Sequence, residues 1–345
     1  MAKWRRWLPI VTVLLAVTAS PLRSSASPLR PSGGTAVESS EMQWGPFVVP
    51  AAVGERPGVL DTIVSALPMP CLNCYLTGVQ VDLVFEDGRS ANLDQGVMLH
   101  HFIVFNSARP DSTCGPDTLV GALGERFFMA YNDRTGTVFP PGFGYHLAAD
   151  RVGAAIAVMN HTDRAQVVRV EAKINHVADP APELKPVRPV WLDENNCRSS
   201  AYEVFAGPSH RVWEWKSTLT GRVLSARGHL HDGGIRIAFA NSTTGRHLCT
   251  SYARYGTNPA STGTVDSMST CVWDRLGTVR AGETLAIDTY YDPPQAQPDV
   301  MGVLLAFVYE TDDLTGGTAP PPDGPAPPWP PLGGVPSGHG HQHHH

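Results

Sequence analysis

The sequence predicts an all-β protein, built as two antiparallel sandwiches, and three observations carry that expectation. Apolar residues recur with period two in several separated segments, Gly and Pro punctuate the chain between them, and no run holds a helical period for more than about three turns. With 345 residues and 42% hydrophobic content, the chain is long enough for two cores of ordinary size.

From the N-terminus, a basic start (Lys3, Arg5, Arg6), an apolar run from Leu8 to Ala19 and small residues through Ser24-Ser25-Ala26 read as a secretory signal peptide over residues 1–26. The expected product is secreted. Without the four cations of that segment, 22 Lys and Arg stand against 32 Asp and Glu, a net charge of −10. A surface of that sign repels phosphate backbones, so no nucleic-acid partner is expected. No later apolar stretch reaches membrane-spanning length, the richest being the strand-sized Met301 to Tyr309, so no membrane span is expected.

Residues 27–57 are rich in Pro, Ser and Gly without periodicity and read as a flexible lead-in. The first sandwich is expected over residues 58–180. In it Val79, Val81, Leu83 and Phe85 alternate up to an Asp87-Gly88 turn, and Val168, Val170, Ala172 and Ile174 alternate with Arg169, Glu171 and Lys173. Prolines 180, 182, 186 and 189 interrupt the pattern and mark a domain boundary. The second sandwich is expected over residues 181–315, with a hairpin from Ile235–Ala240 through Asn241-Ser242-Thr243-Thr244-Gly245 into Arg246–Tyr252, and an alternating strand over Leu285–Tyr291. Residues 316–345, with nine prolines between Pro320 and Pro336 and a terminal His339-Gly340-His341-Gln342-His343-His344-His345, read as a disordered tail that would bind divalent ions loosely.

Six cysteines in an exported chain predict up to three disulfides, with Cys249 and Cys271 as one local bridge. Cys71-Leu72-Asn73-Cys74 admits three readings: a redox pair, half a zinc site, or two ends of separate bridges. The oxidising compartment and the lack of a second such motif favour structural bridges, and the pairing of Cys71, Cys74, Cys114 and Cys197 stays open.

The chemistry concentrates in histidines. His229 and His231 lie two apart, so on a strand both leave the same face about 7 Å apart, and the following Asp232-Gly233-Gly234 opens the strand to solvent. His100 and His101 are adjacent and in a regular strand would face opposite ways, so sharing an ion requires a bulge, a strong twist or a sheet edge. His161 follows the apolar run Ala154–Met159, where a buried strand meets a polar turn. Met301 opens the run Val303–Phe307; such a methionine is ordinarily core filler, but a thioether beside imidazoles is the soft donor set that suits Cu(I). His146, His176, His210 and His247 are scattered and read as structural or exposed rather than as ligands. There is no Gly-x-Ser-x-Gly elbow, HExxH, P-loop or dinucleotide fingerprint, which removes the common hydrolase and nucleotide-binding readings.

Taken together, His100-His101, His161, His229-x-His231 and Met301 resemble, in order, type and approximate spacing, the copper type II, ascorbate-dependent monooxygenases, the superfamily of peptidylglycine α-hydroxylating and dopamine β-monooxygenases. The resemblance spans roughly residues 60–310 and includes Gly144-Tyr145 ahead of His161. It implies two eight- to nine-stranded jelly rolls facing across a cleft. It also implies two copper ions: an electron-transferring one on His100, His101 and His161, and an oxygen-binding one on His229, His231 and Met301, which would be the catalytic residues. Arg227 falls near an arginine that the family uses on a substrate carboxylate. Val303 and Leu305 replace that family's peptide-binding asparagine and tyrosine, which argues against an amidation-type peptide substrate. Gly302 stands where the family has a bridge cysteine, leaving Cys271 for Cys249. The Met69-Pro70-Cys71-x-x-Cys74-Tyr75 opening and Asp94-Gln95-Gly96 before His100 are similar to the stress-up-regulated nodulin-like proteins, a divergent branch.

These readings lead to a secreted copper-dependent monooxygenase-like protein that hydroxylates a C–H bond of a small substrate with O2 and a reductant such as ascorbate. The alternative is an exported copper-binding or storage protein without catalysis. A third reading, a purely structural double sandwich, predicts no stoichiometric metal.

Overall fold

The computed structural model describes residues 36–148, 151–256 and 264–319. The expected signal peptide, the start of the lead-in and the histidine-rich tail lie outside them. Among the described residues there is no α-helix, only two short 3₁₀ turns at Leu93–Gln95 and Gly121–Leu123, and no helix long and apolar enough to cross a membrane. The all-β class follows from the period-two segments.

In chain order the first strands are β1 (Glu38–Val49), β2 (Gly58–Val64), β3 (Cys74–Phe85), β4 (Val97–Asn106), β5 (Glu125–Ala130), β6 (Thr137–Val138), β7 (Phe143–Leu147), β8 (Val152–Asn160), β9 (Gln166–Ala178) and β10 (Lys185–Pro186). They make two sheets, β1-β9-β3-β7-β10 with β6 beside β3, and β2-β8-β4-β5. The remainder are β11 (Arg188–Asp193), β12 (Tyr202–Val204), β13 (Ser209–Lys216), β14 (Gly221–Leu230), β15 (Gly234–Asn241), β16 (Arg246–Tyr255), β17 (Val265–Met268), β18 (Thr270–Val279), β19 (Thr284–Tyr291), β20 (Gln297–Val300) and β21 (Gly302–Glu310). These give the sheets β11-β21-β14-β18 and β13-β19-β15-β16-β17, with a small β12-β20 pair.

Each alternating segment forms a strand. Val79–Phe85 lies in β3, Val168–Ile174 in β9 and Leu285–Tyr291 in β19, while β15 and β16 pair as the expected hairpin. In β9 the apolar residues face in (Val168, Val170, Ala172, Ile174) and the charged ones out, as a half-buried strand requires.

Two expectations need correction. The lead-in is not irregular throughout: β1 pairs with β9 from Glu38↔His176 to Val49↔Gln166. Its Trp44, Phe47 and Val49 are buried, with an irregularity between Trp44 and Phe47 at the Gly45-Pro46 step. That irregularity breaks the alternation, and so hides the strand from a period-two reading.

The second correction concerns the jelly rolls. Among the described residues the strands form four sheets and the two-stranded β12-β20 pair rather than two jelly rolls each closed round its own core. Sheet β11-β21-β14-β18 is apolar on both faces: Val190, Leu192, Leu304, Ala306 and Val308 pack with the β13-β19-β15 sheet, while Trp191, Leu224, Val303, Leu305 and Phe307 join the core of the N-terminal sheets. Every residue of β14 is buried. A strand covered on both faces reads as a continuous apolar run, which is why Val303–Phe307 does not alternate. The crossing from one set of sheets to the other falls between β10, which pairs in parallel with β7, and β11.

All six cysteines are paired: Cys71 with Cys74, Cys114 with Cys197, and Cys249 with Cys271. The Cys249–Cys271 bridge is the expected one. The Cys71-x-x-Cys74 motif closes on itself, and Cys114–Cys197 ties a loop after β4 to the segment after β11.

Candidate metal centre

The sequence motifs at β4 and β14 meet in space. On β4 the register to β8 shifts between Leu99, opposite Val158, and His101, opposite Ala157, so His100 is the extra residue of a β-bulge. Side-chain alternation changes phase there: Val97 and Leu99 are buried before it, Phe102 and Val104 after it. Both histidines are consequently half-buried on the same side, with their Nδ1 atoms 3.2 Å apart and ring centres 5.3 Å apart. A bulge is one of the three devices by which adjacent histidines can act together.

On the other side, His229 lies near the end of β14, opposite Val303 of β21, and His231 follows the strand. Their ring centres are 5.2 Å apart, and the His231 ring meets that of His100 edge-on at 5.8 Å. The four imidazoles therefore form one chain of contacts, His101–His100–His231–His229, that crosses from the N-terminal sheets to the C-terminal ones.

His229 is the most tightly held of the four. It is buried, its Nδ1 is 2.9 Å from Asp133 Oδ2, and its ring stacks on Tyr131 with centres 3.4 Å apart and planes 5° apart. Tyr131 and Asp133 both come from the turn after β5. Arg134 fixes that turn through Asp82, the Ala91 carbonyl and the Tyr131 carbonyl, and Thr135 N–H donates to Asp133 Oδ1. Burial by itself would raise the Asp133 carboxyl, but the hydrogen bond to His229, the electrostatic attraction of His229 and then that of Arg227 hold it down at about 2. An ionised Asp133 accepts the Nδ1 proton and leaves Nε2 as the free nitrogen. That Nε2 is buried with no hydrogen-bond partner.

Burial keeps the neighbouring rings neutral. His101 is lowered to about 3 by burial, then by the nearness of His100 and His229; His231 is lowered to about 3 by burial, then by His229 and His100. His100 is lowered by burial and His229. Neutral imidazole is the form that ligates metal. His231 Nδ1 is spent on the Asp299 carbonyl at 2.8 Å, again leaving Nε2.

Met301, half-buried, packs against the core of the N-terminal sheets. Its carbonyl accepts from the Tyr291 hydroxyl, which in turn accepts from the His231 N–H. His161 follows β8 and is exposed; its N–H donates to the Gly96 carbonyl, and no described ring contact or side-chain hydrogen bond joins it to the four clustered imidazoles. Arg227, expected beside a substrate, is 1% exposed. Its Nε donates to Thr137 Oγ1 at 3.1 Å and its Nη2 to the Met129 carbonyl, and burial lowers it to about 10 against the pull of Asp133. It ties β14 to the N-terminal sheets instead of facing a cleft.

Among the described residues no three His, Cys, Asp or Glu side chains stand ready round one ion position. The donor chemistry nevertheless fits a metal that favours imidazole: neutral rings, one buried nitrogen without a partner, and a carboxylate behind it that fixes the tautomer. Tyr131, Asp133, Tyr291 and Asp299 were not foreseen from the sequence. Asp133 meets His229 across 96 positions of chain, and no local spacing encodes that contact.

Residues 193–311 match the family model described as Stress up-regulated Nod 19. The chain is 27% identical over 272 residues to the "Probable copper-dependent oxygenase M1" of a Phoma species, a match covering 73% of this chain and 66%, just under two thirds, of that protein. It is also 27% identical over 265 residues to the "Probable copper-dependent oxygenase clz3" of Cochliobolus lunatus, covering 70% of this chain and 80% of that protein.

Proposed function

We propose that this chain is a secreted copper-dependent oxidoreductase of the oxygenase kind, which hydroxylates a C–H bond of a small substrate with O2 and an external reductant such as ascorbate. The observation that carries the reading is His229, whose buried Nε2 lacks a partner while Asp133 occupies its Nδ1, beside three imidazoles that burial keeps neutral. The names of the two fungal relatives support copper and oxygenation, and the three disulfides suit an exported protein.

Copper at these residues supplies one-electron redox chemistry and the means to reduce dioxygen. His229, His231, His100 and His101 would hold it; Met301 and His161 remain candidates from the resemblance. The protein's own contribution is orientation. Asp133 and Tyr131 hold the His229 ring in one plane, the Asp299 carbonyl orients His231, and burial keeps His100, His101 and His231 neutral.

The test is copper loading followed by ascorbate-dependent oxygen uptake, on full-length protein with the five tail histidines replaced by alanine. Bound copper with turnover is the expected result. Copper without turnover supports the binding or storage alternative, and no bound copper overturns both.

A further inference from the structure

We propose that the cavity between β12, β13 and the end of β19 binds a small organic anion, a carboxylate carried on one ring or a short apolar chain, with Arg211 as its counter-ion. The site is independent of copper. Its volume is about 160 Å³, and an engineered apolar cavity of about 150 Å³ accepts benzene. A single six-membered ring with a carboxylate on it is the size of ligand that fits.

Strand pairing decides which side chains face the cavity. Ser209 lies opposite Tyr291 and Arg211 opposite Thr289, and directly opposed residues share a face of the sheet. Ser209 and Arg211 therefore stand on the same side as the buried Thr289 and Tyr291. From β12, Tyr202 and Val204 face in while Glu203 between them faces out. His210 belongs to the other face, where its ring stacks on Tyr290 at 5.4 Å and its Nδ1 lies 3.0 Å from Asp288. What faces the cavity is a set of aromatic rings, hydroxyls and one cation.

Arg211 is placed to take an anion. Its guanidinium carbon sits 4.8 Å over the Tyr202 ring, and its side chain is 47% exposed. The carboxyl of the buried Glu194 is 3.7 Å from its Nε, beyond hydrogen-bond reach, and accepts from Thr289 at its other oxygen. Burial pushes that carboxyl up to about 8 against the pull of Thr289 and Arg211, so near neutral pH it leaves most of the Arg211 charge uncancelled. A guanidinium in this state suits bidentate pairing with a carboxylate. Phe205, in the turn between β12 and β13, lines the same cavity and is 72% exposed, which places an aromatic face at its mouth for the apolar part of the ligand.

Isothermal titration calorimetry on the full-length, copper-free protein tests the site, with benzoate as the probe. Benzoate should bind at one site per chain, at least about tenfold more tightly than benzamide, which lacks the charge, or acetate, which lacks the ring. Arg211→Gln should weaken benzoate at least about tenfold. Phe205→Ser, at an exposed position where loss of the ring leaves no buried void, should weaken it several-fold with the Tm unchanged.

No saturable binding of benzoate, cyclohexanecarboxylate or hexanoate overturns the proposal. So does benzamide binding as tightly as benzoate, or benzoate binding that Arg211→Gln leaves unchanged. Should Arg211→Gln fail to fold, Phe205→Ser decides in the same way.

Discussion

At the scale of single residues, the site depends on groups that do not ligate. Asp133 supplies the negative charge behind His229 and fixes its tautomer; such outer-shell partners typically govern metal affinity by about 10–100-fold. Asp133→Asn should therefore weaken Cu(II) binding by about that factor while leaving four imidazoles in place, read by competition against a chelator of known affinity. Unchanged affinity would show that His229 needs no such support. The histidines themselves were legible from the sequence because His-x-His and His-His stand out among strand residues. Their convergence was not, because the sequence gives no distance between β4 and β14, and Tyr131 and Asp133 sit in a turn whose only local marks are turn chemistry. Arg227, placed by the resemblance near an arginine used on a substrate carboxylate, is buried and bonded to Met129 and Thr137, a setting that local sequence does not reveal.

At the scale of elements, two strand features shape the site. A bulge is one of the ways the sequence allows adjacent histidines to act together, and its imprint is in the burial, with Val97 and Leu99 buried before it and Phe102 and Val104 after it; the chain itself, apolar at almost every position from 97 to 105, does not mark it. At the start of β21, Gly302 follows Met301 where β11, β19 and β12 come together. A Cβ there would stand 2.5 Å from Thr289 Cγ2, 2.7 Å from Glu194 Cγ and 3.1 Å from the Tyr202 hydroxyl. These neighbours are bonded to one another, Thr289 to Glu194 at 3.1 Å and to Tyr202 at 3.1 Å, and cannot simply swing away. Gly302→Ala should cost about 1–3 kcal/mol of overpacking, read as a lower denaturant midpoint, and should disturb the adjoining Met301 carbonyl that Tyr291 holds. A variant as stable as the parent would show that the cluster relaxes. The same close approach explains why a small residue stands there without invoking a lost cysteine.

At the scale of the whole molecule, the class was readable and the assembly was not. Period-two patterns specify strands, but a two-sided sheet looks like any apolar run, so Val303–Phe307 gave no warning that one sheet serves two cores. The Cys114–Cys197 bridge joins the two regions over a separation of 83 residues, and Arg188 reinforces it with a 3.0 Å ion pair to the buried Glu125. Replacing both cysteines by serine should lower unfolding stability by about 2–4 kcal/mol, measured by chemical denaturation; a change within error would mean the shared core alone holds the regions together. The same sharing has a consequence for His229. β14 is a party wall, its residues wedged between two packed interiors, and the imidazole near its end inherits the settling of both. A substitution deep in either interior can therefore shift that ring without touching it, so the histidine acts as a gauge of how well the two interiors agree.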